Sequence, residues 1–110
     1  MRLDYLTDLK FPQYPSDLLQ DKDILRSYTK ANAYVTIALE ESNINHNRSC
    51  LSAIITDMTH DLEENNYSSR EYLMDAQLEI DNIIENINEY DNFKRDLNFV
   101  NKTINMALQN

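Results

Sequence analysis

SSREYLMDAQLEIDNIIENINEYDNFKRDLNFVNKTINMAL, residues 68–108, is the stretch whose reading decides how this chain folds. Leu73, Ala76, Ile80, Ile83, Ile87 and Tyr90 recur by three and four residues, the spacing of a helix stripe that packs on other helices. Past Tyr90 the stripe resumes as Phe93, Leu97, Val100, Ile104 and Leu108, with one step of three where four is due. Overwinding or a break is expected there. Upstream, Ser68 and Glu71 form the S-x-x-E pattern, in which the serine hydroxyl accepts from the amide three residues on and the glutamate reaches back.

Length decides what the break must do. Unbroken, this stretch would span roughly 60 Å, about twice the reach of the earlier helices, and half of it would lie uncovered. Either the chain folds back near Asp91 and Asn92, or a long helix buries its second half against another copy. Folding back is favoured, because Asp and Asn are poor helix-interior residues and Asp91 can cap a new helix.

Working outward, residues 48–65 read as a helix capped by Asn47, with Leu51, Ile54, Ile55, Met58 and Leu62 on one face. Before it, residues 17–42 carry Ile24, Leu25, Tyr28, Ala31, Val35, Ala38 and Leu39 at helical spacing, with Ile37 on the far side. Ser16 or Asp21 is the start signal, and Asn43 the left-handed stop. Residues 1–16, with Leu3, Leu6, Leu9 and Phe11 before Pro12 and Pro15, read as a short helical turn and an extended arm over the bundle. The fold class expected is therefore all-α, a small bundle of three to four helices with an N-terminal arm. The helices fall at 17–42, 48–65, 69–90 and 92–108 of a single domain.

Composition narrows the function classes. The sequence has no Gly and two Pro, which argues against tight hairpins and removes the glycine-rich loops that let a backbone approach a pyrophosphate. The lone cysteine, Cys50, has no intramolecular disulfide partner, no apolar run is long enough to span a bilayer, and Asp4 and Asp8 lie where a secretory leader would be basic. A cytoplasmic protein is expected.

The net charge of -9 is concentrated: between Asp57 and Asp96 twelve acids face Arg70, Lys94 and Arg95, which is -9 in that segment alone. Direct nucleic-acid binding through it is disfavoured, since phosphates would be repelled. The abundant Asn reads as a coding bias more than as chemistry.

On a helical wheel Glu71, Asp75, Glu79, Asp81, Glu85 and Glu89 share one arc, which also holds Met74 and Leu78. Four like-charge pairs (71/75, 75/79, 81/85, 85/89) cost the isolated helix roughly 1 to 2 kcal/mol. A solvated face is the ordinary explanation. The functional one is a docking surface in which Met74 and Leu78 anchor a partner with a basic or mixed basic and apolar surface, inside an acidic rim. Phe99 and Met106, one heptad apart, point away from the Leu97 to Ile104 stripe and make a second apolar surface, for another helix of the bundle, a second copy or a target.

Catalytic signals are sparse. Asp57, His60, Asp61 and Glu64 share a helix side, but Asp-x-x-His without a second matching motif does not make a di-iron site, and His46 does not supply one. Neither metal nor cofactor is expected. Cys50 reads as a small buried filler, and the scattered tyrosines as packing residues. The segment Met58-Thr59-His60-Asp61-Leu62-Glu63 resembles the phosphoacceptor box of histidine kinases, which implies phosphotransfer through His60. It departs from that box in continuing with Glu64, Asn65 and Asn66 where the family has a basic residue and a proline.

The reading that fits best is a non-catalytic protein-binding module: an acidic inhibitor or neutraliser of the antitoxin, immunity-protein or phage-antagonist type. A phosphotransfer protein using His60 and a structural coiled-coil dimer are the alternatives.

Overall fold

A computed structural model describes residues 4–41 and 68–109. The expected helix at 48–65, with Asn43, His46, Asn47, Cys50, Asp57, His60, Asp61 and Glu64, lies outside the described residues.

The chain is a helical bundle. A single turn, α1 (Asp4–Thr7), leads into an extended arm and a 3-10 turn at Ser16–Leu18. Three long helices follow: α2 (Lys22–Glu41), α3 (Ser69–Asn86) and α4 (Asp91–Leu108). Among the described residues there are no strands.

α2 starts at Lys22, later than the expected 17, because the preceding residues close a tighter turn. Of the two candidate caps Asp21 is the one used: its carboxylate accepts from the Ile24 amide at 3.1 Å. Burial along α2 differs from a one-faced helix, since every residue from Ala31 to Leu39 is buried, Ile37 included at 2 % exposure. Alanines at 31, 33 and 38 keep the helix slim enough for close approach. The buried Thr36 hydroxyl is satisfied within the helix by donating to the Asn32 carbonyl at 2.9 Å.

α3 begins where the sequence places it. Ser68 is extended and its hydroxyl accepts from the Glu71 amide at 3.3 Å, although the Glu71 side chain does not return the bond to Ser68. Tyr72, Leu73, Ala76, Ile80 and Ile83 form its buried stripe. α3 runs antiparallel to α2, tied at one end by Ser69 Oγ to the Ala38 carbonyl (3.3 Å) and at the other by Asn82 Nδ2 to Ser27 Oγ (2.8 Å). Burying an Ile or Leu of this interface contributes about 1.5 to 3 kcal/mol, so the stripe is the main source of cohesion.

The break falls at Ile87 to Tyr90, and α3 stops at Asn86 where residue 90 was expected. Ile87 turns extended and Tyr90 takes the left-handed conformation, φ 67 and ψ 50. Among the described residues it is the only one with positive φ. Asp91 is not the cap: the cap position is Tyr90, which makes no side-chain capping bond, and Asp91 enters as the first helical residue, where its charge favours the helix N-terminus. Lys94 closes the joint by donating from Nζ to the Ile87 carbonyl at 3.2 Å.

α4 then runs back along α3. Arg70 Nη1 donates to the Leu108 carbonyl (3.2 Å), so the start of α3 meets the end of α4, and the chain folds back instead of extending as one long helix. α1 packs on α4 with Leu6 fully buried, and the arm is held by rings. Phe11, Tyr14 and Phe93 surround Tyr28 with centroids 5.0 to 6.1 Å away, and the Tyr28 hydroxyl donates to the Pro12 carbonyl at 2.7 Å.

Candidate functional site

The antiparallel pairing of α3 and α4 leaves a groove of about 410 Å³ lined by Met74, Asp75, Gln77, Leu78, Asp81, Asn101 and Asn105. Four of the expected docking residues come together here: the apolar Met74 and Leu78 and the carboxylates Asp75 and Asp81. Met74 is 46 % and Leu78 68 % exposed, one helical turn apart on the same side of α3. Their neighbours Leu73, Ala76 and Ile80 are fully buried, so the helix spends its core face elsewhere and has two large apolar side chains left over.

Three amides floor the groove. Gln77 Nε2 donates to Asn105 Oδ1 at 2.6 Å and to the Asn101 carbonyl at 3.4 Å, and Asn101 Nδ2 donates to Asp81 Oδ1 at 2.8 Å. This polar ladder joins the helices above their apolar seam. Asn101 Oδ1 is buried without a hydrogen-bond partner. Reading Asn as coding bias passed over Asn101 and Asn105, and Gln77 was not singled out; the signal that finds them is the position of all three on the flanks of the two apolar stripes.

The rest of the acidic set is dispersed. Glu71 and Glu85 are exposed and Glu79 is half-buried, and none of the three lines the groove. Glu89 lies past the end of α3, in the joint, so it is not part of the helix face. The like-charge pair 85/89 disappears with it, leaving three pairs and roughly 0.6 to 1.5 kcal/mol of repulsion. None of Glu71, Asp75, Glu79 or Glu85 forms an ion pair among the described residues; the pair seen there is Arg95 with Asp96 at 3.9 Å, both exposed.

Phe99 and Met106 are exposed, at 62 % and 40 %, on α4 but outside the groove. Phe99 precedes Asn101 by two residues, which puts it about 200° round the helix from the side that reaches α3. A further groove, of about 420 Å³, runs along α2 between Lys22, Leu25, Arg26, Thr29 and Lys30. The sequence reading did not single out this cationic stripe, though the i, i+4, i+8 spacing displays it.

Among the described residues no group of three or more His, Cys, Asp or Glu side chains is arranged to hold a metal ion, and no helix is long and apolar enough to cross a membrane. Tyr14 has a shifted titration: burial first, then the Asp21 carboxylate and Tyr90, push its hydroxyl above the usual tyrosine value. Tyr14 donates to the Leu18 carbonyl at 2.9 Å and belongs to the arm, away from the groove. No family model, no curated protein and no solved structure matches this chain.

Proposed function

We propose that this chain is a non-catalytic binding module that captures a helix or extended segment carrying basic and apolar side chains in the groove between α3 and α4. The observation that carries this reading is the exposure of Met74 and Leu78 between two carboxylates, Asp75 and Asp81, in a groove with a hydrogen-bonded floor. Exposed apolar anchors inside a charged rim are the anatomy of a protein interface, where burying the anchors supplies affinity and the rim selects the partner by sign. The biological role that suits a small acidic body of this kind is neutralisation of a basic partner, as an antitoxin, immunity protein or phage antagonist does.

The test is a titration of the full chain with a labelled amphipathic peptide of Lys and Leu, read by anisotropy. Met74→Ser with Leu78→Ser is expected to weaken binding at least tenfold while leaving helicity unchanged, and an acidic peptide of the same length is expected not to bind. Equal affinity of the double variant and the wild type would sink the reading.

A further inference from the structure

Leu78 and Phe99 are the two most exposed large apolar side chains among the described residues, at 68 % and 62 %. They stand on different helices and face different ways. Around Leu78 the exposed partners are Met74 and the carboxylates of the groove. Around Phe99 they are Arg95, Lys102 and Met106, which with it occupy positions 95, 99, 102 and 106 of α4. Steps of four, three and four keep these on one side of the helix, so α4 shows solvent a stripe that alternates cation and apolar group. Arg95 is engaged there only by its neighbour Asp96, at 3.9 Å in solvent, and Lys102 by nothing among the described residues.

We infer that the occupant of the acidic groove includes a second copy of this chain, which seats the Arg95–Phe99–Lys102 stripe of its α4 against Met74 and Leu78. The chemistry matches in kind and in rise along the helix axis. Phe99 is the apolar group that Met74 and Leu78 lack, and Arg95 and Lys102 are about 10 Å apart along the axis, against about 9 Å for Asp75 and Asp81. The α2 stripe is the weaker match: it offers Lys22, Arg26 and Lys30 but no exposed large apolar side chain, since Leu25 is half-buried.

The net charge of -9 does not forbid the contact. Charges on the two bodies farther apart than a Debye length, about 8 Å at physiological salt, are screened, whereas a cation touching Asp81 is not. One helix laid in one groove makes a small interface, of the weak and reversible class. Because knob and socket are different surfaces, the contact is head-to-tail: the open assembly, whatever its length, still offers one free groove at one end and one free stripe at the other, and it grows or closes into a ring. Self-association covers the groove proposed above for a foreign partner, but it does not depend on that partner existing.

Sedimentation of the full chain tests it. Wild type is expected to gain mass as its concentration is raised toward about 1 mM, as a weak and reversible contact does. Phe99→Ser alone and Met74→Ser with Leu78→Ser alone are both expected to stay monomeric, each at an exposed position where the fold is spared. Mixed in equal amounts they are expected to form a dimer and stop, because the mixture holds one intact groove and one intact stripe per pair. A monomeric wild type at 1 mM, or a mixture that stays monomeric, overturns the inference. So does a Phe99→Ser variant that associates as the wild type does. In each of those cases the peptide titration still reports separately on whether the groove takes a foreign helix.

Discussion

Asn101 on α4 donates from Nδ2 to Asp81 Oδ1 on α3 at 2.8 Å, so the carboxylate that edges the groove is held by the helix opposite. Asn101→Ala removes that bond together with a buried Oδ1 that has no hydrogen-bond partner. A bond of this kind contributes about 0.5 to 1.5 kcal/mol, and losing the unsatisfied acceptor offsets part of it. The expected outcome is a stability loss below about 1 kcal/mol in urea, with a several-fold weaker grip on the Lys-Leu peptide because Asp81 is no longer oriented.

Tyr90 holds a left-handed conformation that costs a residue with a Cβ about 1 to 2 kcal/mol and a β-branched one more. Asn tolerates it. Tyr90→Asn and Tyr90→Val both lose the partly buried ring, so the difference between them isolates the backbone. Tyr90→Val is expected to be the less stable by roughly 1 kcal/mol, measured by chemical denaturation.

Tyr14 ionises at higher pH in the folded chain than in the unfolded one. Above about pH 10 the unfolded chain therefore holds fewer protons, and stability falls as pH rises from that value through the folded one. Tyr14→Phe abolishes this contribution. Urea midpoints compared at pH 8 and pH 11 should drop less for the variant than for the wild type, even though the variant starts lower for want of the bond to Leu18.

Ile80 is fully buried in the middle of α3. Ile80→Ala removes transfer energy and leaves a cavity, with an expected loss of about 2 to 5 kcal/mol. Leu78→Ala, two residues away and 68 % exposed, is expected to change stability by less than about 0.5 kcal/mol in the same denaturation series.

The core stripe of α3 and the exposure of Met74, Leu78 and Phe99 follow from periodicity; the fold-back does not follow from it alone, since the phase slip leaves a long helix on a second copy equally open and only the helix-poor Asp91 and Asn92 favour the turn. Tyr90 as the joint was not legible, because a left-handed tyrosine is held by its surroundings and not by local preference. Ile37 misled for the opposite reason: periodicity reports a helix with one buried face, whereas α2 is buried on all sides from Ala31 to Leu39. The role of Asn101 and Gln77 was hidden because an amide reads alike whether it meets water or another helix.

The hydrogen bonds that join α3 to α4 link residues 20 to 38 positions apart, while Asn82 and Ser27 are 55 apart. The nearest bond joining α3 to α4 spans 20 positions and the nearest joining α3 to α2 spans 31, so in kinetic terms the α3–α4 hairpin is the less costly of these two closures, and local closures form ahead of distant ones. The groove is then assembled before α2 docks on α3, so mutations in the hairpin are expected to slow folding, and those at Ser27 chiefly to speed unfolding.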